Sequence, residues 1–169
     1  LNAKNGSTGI YSSGGTITST SVNKLNITVD NSATGIKKGL GVYAENGSNV
    51  NLTGANIGVI KGEAGVAAYG AGTQLNLTNS TLKYDGDGYA VYSDGNGKIN
   101  LTNSNIELRG SSTLMDIDLS LPAGNRPITT TNTNVKVYSN DVVAMNATNL
   151  GTANITDLSG IKTKLGVNI

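Results

Sequence analysis

Apolar and polar residues alternate along this chain in short bursts, and the bursts recur. Four near-identical tetrapeptides mark the recurrence: Leu25-Asn26-Ile27-Thr28, Val50-Asn51-Leu52-Thr53, Leu75-Asn76-Leu77-Thr78 and Ile99-Asn100-Leu101-Thr102. Their successive spacings are 25, 25 and 24 residues. The likeness extends upstream, where GVYAENGSNVNLT (41–53), VAAYGAGTQLNLT (66–78) and AVYSDGNGKINLT (90–102) align without gaps. Downstream, NIGVI (56–60), TLKYD (81–85) and NIELR (105–109) fall at one common offset. Three consecutive aligned units identify an internal repeat.

Each unit holds three short segments that alternate with period two, the pattern of a strand with one buried face. Gly, Asn, Asp and Ser fill the gaps, as turns require. No stretch carries apolar residues at helical spacing, so no substantial helix is expected. Strands this close together leave no room for crossover helices. Three strands every 24–25 residues therefore predict an all-β parallel β-helix, one solenoid over residues 1–169 with about seven coils, each rising roughly 4.8 Å on the last.

Parity sorts the side chains. Val50, Leu52, Leu75, Leu77, Ile99 and Leu101 are expected inside, with Asn51, Asn76 and Asn100 outside. In the following strand Ile57, Leu82 and Ile106 point inward, then Val59, Tyr84 and Leu108. In the preceding strand both parities are partly apolar. Val42, Ala67 and Val91 are assigned inward, which leaves Tyr43 and Tyr92 outside. The turns supply an independent sign. Aligned positions Gly54, Asn79 and Asn103 exchange Gly with Asn, and so do Gly47, Gly72 and Asn96. These residues share tolerance of positive φ, so two left-handed positions per coil are expected.

The repeat degrades toward both ends. Ile10-Tyr11-Ser12 resembles Val42-Tyr43-Ala44 at a spacing of 32, whereas counting back 25 from Val42 reaches Ile17. Beyond Arg109 the coil is expected to continue through 115–119, 128–131 and 135–138, with a last, imperfect coil in 142–165. Ile99 and Ile128 lie 29 residues apart, so that coil holds an insertion, 120–127. It contains Pro122 and Pro127, both prolines of the chain, which cannot donate to a ladder. The segment should bulge from the rod.

Composition narrows the chemistry. Gly, Asn, Thr and Ser supply 81 of 169 residues, and Phe, Trp, Cys and His are absent. Thiolate or imidazole metal ligation is thereby excluded, as is any mechanism that needs Cys or His. Twelve basic residues balance eleven acidic ones without forming a basic face, which argues against nucleic acid. Asp85-Gly-Asp87-Gly and Asp94-Gly-Asn96-Gly have the start of a calcium-loop pattern but lack its terminal Glu, and turn chemistry accounts for them. Asp116 and Asp118 alternate on one expected strand, a pairing that polysaccharide cleavage could use. The Asn-x-Thr ladder also reads as a Thr array of the ice-binding kind and as sequons at Asn26, Asn51, Asn76 and Asn100; strand propensity and stacked Asn side chains explain it without either.

Units such as GSTGIYSSGG (6–15), GVYAENGSNVNLT and AVYSDGNGKINLT resemble the repeats of autotransporter passenger domains, the surface-exposed or released parts of type V secretion proteins of Gram-negative bacteria. The resemblance implies a right-handed β-helix exported through the periplasm. It also implies attachment to the outer membrane by a C-terminal β-barrel that this chain does not contain. The chain starts at Leu1 without a signal peptide and is expected to be a passenger fragment. On this reading it is an adhesin segment displaying loops and ladder faces toward a protein or glycan of a host or bacterial surface. No cofactor, metal or catalytic residue is expected. The contact residues expected are Leu121, Pro122, Asn125 and Arg126 in the bulge, with Tyr43 and Tyr92 on the rod. Tyr11 and Tyr138 are further candidates. A polysaccharide-cleaving enzyme using Asp116 and Asp118, and a purely structural spacer, are the alternatives.

Overall fold

The computed structural model describes residues 1–22, 24–33, 39–118, 127–148 and 167–168, and of 116–118, 143–148 and 167–168 the backbone alone. The strands are numbered in chain order. One seven-stranded sheet runs β1 (Asn2–Lys4), β4 (Asn26–Asp30), β7 (Asn56–Ile60), β10 (Thr81–Asp85), β13 (Asn105–Arg109), β16 (Thr133–Val137), β18 (Val167–Asn168). A second has six strands: β2 (Ile10–Ser13), β5 (Leu40–Glu45), β8 (Ala64–Tyr69), β11 (Tyr89–Asp94), β14 (Thr113–Asp118) and β17 (Val143–Thr148). A third has five: β3 (Thr16–Ser19), β6 (Asn49–Thr53), β9 (Gln74–Thr78), β12 (Lys98–Thr102) and β15 (Ile128–Thr131). Strands pair in parallel with their counterparts one coil away, as Leu75 with Val50 and Ile99 with Leu75. The chain is a three-sided parallel β-solenoid.

It makes about five turns rather than seven. A uniform count fails because the outer coils are longer: Ile17 pairs with Val50 and Ile99 with Ile128. The expected strands in 154–165 lie outside the described residues.

The interior follows the parity reading on two sheets. Val50, Leu52, Leu75, Leu77, Ile99, Leu101, Ile57, Leu82, Ile106, Val59, Tyr84 and Leu108 are all buried. So are Val42 and Val91, but Ala67 was placed on the wrong face. Val66 pairs with both Val42 and Val91, whereas Ala67 pairs with Tyr43 and Tyr92 on the outside. The turn after β8, Gly70 to Thr73, is one residue longer than the turn from Asn46 to Ser48 after β5, so a gapless alignment slips by one. The tetrapeptide Leu25–Thr28 is also reassigned. Asn26 and Ile27 pair with Asn56 and Ile57 in the seven-stranded sheet, and Val50–Thr53 continue from β3 instead. At the N-terminal end motif likeness outweighs spacing, since Ile10, Tyr11 and Ser12 register with Val42, Tyr43 and Ala44.

All six exchangeable turn positions adopt positive φ: 68° at Gly54, 49° at Asn79 and Asn103, 75° at Gly47, 80° at Gly72 and 67° at Asn96. Beside the first set runs a column of buried hydroxyls. Ser80 Oγ accepts from Ala55 N at 3.1 Å and donates to Thr78 O at 2.9 Å, and Ser104 Oγ accepts from Ser80 N at 3.2 Å. These bonds satisfy corner backbone groups that no strand ladder reaches.

Tyr84 is the largest side chain in the core. Its hydroxyl donates to Gly62 O at 2.6 Å and accepts from Gly88 N at 2.8 Å. Burial pushes its pKa up to about 12. Because the folded state binds this proton more tightly than the unfolded chain, its contribution is intact below pH ~10 and is lost as pH rises through about 12. Stability should fall by about 2 kcal/mol from this group by pH 12. Urea unfolding of wild type and Tyr84→Phe from pH 9 to 12 checks it: the variant should be weaker at pH 9 but fall less steeply. Equal slopes would remove Tyr84 as the titrating group.

Candidate binding face

The three sheets present different chemistry. The central outward row of the five-stranded sheet is an amide ladder: Asn76 Nδ2 donates to Asn51 Oδ1 and Asn100 Nδ2 to Asn76 Oδ1, each at 2.7 Å, while Lys98 stands in the row of Gln74 and Asn49. The expected amide ladder forms, flanked by Thr53, Thr78, Thr102 and Thr131 in register. The seven-stranded sheet carries mixed charge, with Lys83 Nζ 3.5 Å from Glu107 Oε2 and the Arg109 guanidinium 4.3 Å above the Tyr138 ring.

The six-stranded sheet differs from both. Its backbone bends where Gly41 and Val42, Gly65 and Val66, Ala90 and Val91, and Leu114 and Met115 point inward as consecutive pairs. Either side of that bend, alternate residues face solvent. One register row reads Tyr11, Tyr43, Ala67, Tyr92, and the next reads Ser13, Glu45, Tyr69, Asp94. Tyr89 stands beyond the bend, its ring 5.1 Å from that of Tyr92. Five of the seven tyrosines thus gather on one face.

Coil stacking forces the rings together, because equivalent positions are only about 4.8 Å apart. Tyr11 and Tyr43 stack with centroids 5.5 Å apart and planes 21° apart, and Tyr69 meets Tyr43 edge-on at 6.4 Å. Ala67 is 2% exposed although it lies in an outward row, so the neighbouring tyrosines cover it. Tyr11 remains 57% and Tyr69 41% exposed, enough to meet a partner.

Two carboxylates are pinned within the rings. Glu45 accepts from the Tyr11 hydroxyl at Oε1 and from the Tyr43 hydroxyl at Oε2, the latter at 2.7 Å. Asp94 accepts from the Tyr69 hydroxyl at 2.7 Å and from Gly95 N at 2.6 Å. Hydroxyl donation, chiefly from Tyr11 to Glu45 and from Tyr69 to Asp94, holds both acids below the usual carboxylate range. The same bonds raise the pKa of Tyr11 and Tyr69, while desolvation first and Glu45 second push Tyr43 up to about 12. Both acids are therefore ionised at neutral pH.

The structure brings Tyr43 and Tyr92 to this face as expected, together with Tyr11; Tyr138 lies apart, against Arg109. Sequence reasoning missed Tyr69, Tyr89, Glu45 and Asp94. Once the longer turn is allowed for, Tyr69 moves from the row of Ala44 to that of Glu45. Leu121, Pro122, Asn125 and Arg126 lie outside the described residues. Pro127 is described, and its carbonyl accepts from Ile99 N at 2.7 Å. Asp116 and Asp118 lie on β14, where their backbones register with Asn146 and Thr148; their side chains lie outside the described residues. In the Asp-Gly segments, Asp94 meets its own turn amide and Gly95 and Asn96 take positive φ. Among the described residues no three acidic side chains converge on a metal-sized space. No protein-family model, curated protein or solved structure matches this chain.

Proposed function

We propose that this chain is a rigid attachment module, a β-helical segment of a bacterial surface adhesin of the autotransporter type, and that it binds through the tyrosine face. The observation that carries the reading is the concentration of five tyrosines on one of three faces, around two ionised carboxylates. Tyr supplies large contact area with little rotamer entropy to lose, and stacking already immobilises these rings. The solenoid adds stiffness, so the face keeps its shape when a partner arrives. The repeat style that resembles autotransporter passengers supports display at a cell surface.

Attachment of cells to surfaces coated with the purified chain tests this reading. Replacing Tyr11 and Tyr69 by Ser should reduce attachment at least ~10-fold, the loss of about 1.4 kcal/mol, with the thermal midpoint little changed. Replacing Thr78 and Thr102 by Ser on the amide-ladder face should leave attachment as it was. No attachment by wild type would favour a spacer, and attachment indifferent to the tyrosines would move the contact elsewhere on the rod.

A further inference from the structure

The ligand class follows from an inventory of charge and donors on the tyrosine face, and it rests on the reading of that face as the attachment surface. The outward rows are Leu40, Ala64, Tyr89, Thr113; Tyr11, Tyr43, Ala67, Tyr92; and Ser13, Glu45, Tyr69, Asp94. Among the described side chains these rows contain two acids and neither Lys nor Arg. Glu45 is held by the Tyr11, Tyr43 and Ser13 hydroxyls and the Asn46 amide, and Asp94 by the Tyr69 and Tyr92 hydroxyls and a backbone amide. Each of these donors is neutral. The carboxylates are thus oriented and kept ionised, and among the described residues the donors that hold them add no positive charge. The seven-stranded face behaves differently, since there Lys83 meets Glu107 and Arg109 lies over Tyr138.

The Tyr11, Tyr43 and Tyr69 hydroxyls have spent their protons on these acids, and what they turn outward is acceptor lone pairs. Tyr11 and Tyr43 have also spent ring faces on one another. A sugar, which binds by flat stacking and by exchanging donors and acceptors, finds one ring face and few donors here. A cation bearing several N–H groups finds acceptors and negative charge. We propose that the tyrosine face binds basic protein segments through arginine side chains, each guanidinium donating to Glu45 or Asp94 and lying against the adjoining tyrosines. Arginine suits the site better than lysine because a planar fork pairs with a carboxylate and stacks on a ring together. Glu45 and Asp94 are two strands apart in one row, with Tyr69 between them. That spacing is roughly 10 Å, so two arginines of one segment can engage both acids.

Fluorescence anisotropy with labelled hexa-arginine tests the proposal, beside hexa-lysine, hexa-citrulline and a glycan array. Hexa-citrulline keeps the shape and loses the charge. Hexa-arginine should bind at least ~10-fold tighter than hexa-citrulline and tighter than hexa-lysine, and weaken as salt rises. The double variant Glu45→Gln, Asp94→Asn should lose at least ~10-fold in hexa-arginine affinity; Glu107→Gln on the seven-stranded face should not. Circular dichroism melts would verify that each variant is folded. Three results would overturn the inference: no binding of hexa-arginine, equal binding of hexa-citrulline, or binding unchanged in the double variant. Should cells still attach through the tyrosines while Glu45→Gln, Asp94→Asn attaches normally, the attachment face stands and its cationic ligand does not. A glycan that binds through the same tyrosines would lead to that conclusion too.

Discussion

Leu77→Ala should lower the free energy of unfolding by about 2–5 kcal/mol, and Asn76→Ala, one residue away, by about 1–2 kcal/mol. Leu77 is 1% exposed and stands in register between Leu52 and Leu101, so its loss leaves a hole bounded by two coils. Coils stacked at fixed spacing cannot close on that hole without breaking ladder bonds, which favours the upper half of the range. Asn76 bonds to Asn51 and Asn100 from the solvent side, where water can replace what is lost. Urea unfolding with matched m-values would measure both. Equal penalties, or a larger one for Asn76, would contradict the assignment of faces in the central coils. Unfolding of the Leu77 variant in two steps would further show that the outer coils hold together less well than the middle, as nearest-neighbour stacking allows.

Gly65→Val should be at least as damaging, about 3 kcal/mol or more. A Cβ at this position would stand 2.5 Å from the carbonyl oxygen of Ala90 and 2.9 Å from Leu82 Cδ1. Leucine atoms can shift, but the carbonyl belongs to the neighbouring strand. Relief therefore requires separating β8 from β11. The same corner is occupied by Gly41, Gly65, Ala90 and Leu114 in successive coils, so it admits larger side chains toward the C-terminal end. Ala90→Gly, which removes a methyl from the roomier coil, should cost only about 1 kcal/mol. Thermal melts of the two variants test the gradient; a Gly65→Val protein as stable as Ala90→Gly would show that the corner can open without loss of pairing.

The architecture was legible because its causes are local. Period-two alternation sets the strands, and Gly and Asn trade places at Gly54, Asn79 and Asn103 because a left-handed backbone excludes most other residues. With no His or Cys, and with stacked leucines at 24–25 residue spacing, little besides a solenoid satisfies the pattern. The candidate face was half legible. Tyr43 and Tyr92 fall outside once Val42 and Val91 are assigned inward, a choice the structure bears out. Tyr69 could not be placed in this way, because one extra residue in the turn after β8 reverses the parity of every residue before it, relative to the aligned repeat.

Residue order determined by itself that the chain coils, which side of most strands is apolar, where the backbone turns left-handed and which metal and nucleophile chemistries are excluded. Those properties depend on neighbours within a few positions. The tertiary structure alone decided the number of turns, the sheet to which Leu25–Thr28 belongs, and the gathering of Tyr11, Tyr43, Tyr69, Tyr89 and Tyr92 around Glu45 and Asp94. The physical reason is that register between coils is set by turn length and by inter-strand hydrogen bonding, both satisfied by contacts 24–33 residues apart. A one-residue difference in a turn is nearly invisible in composition, yet it carries a whole strand's side chains from one face of the sheet to the other.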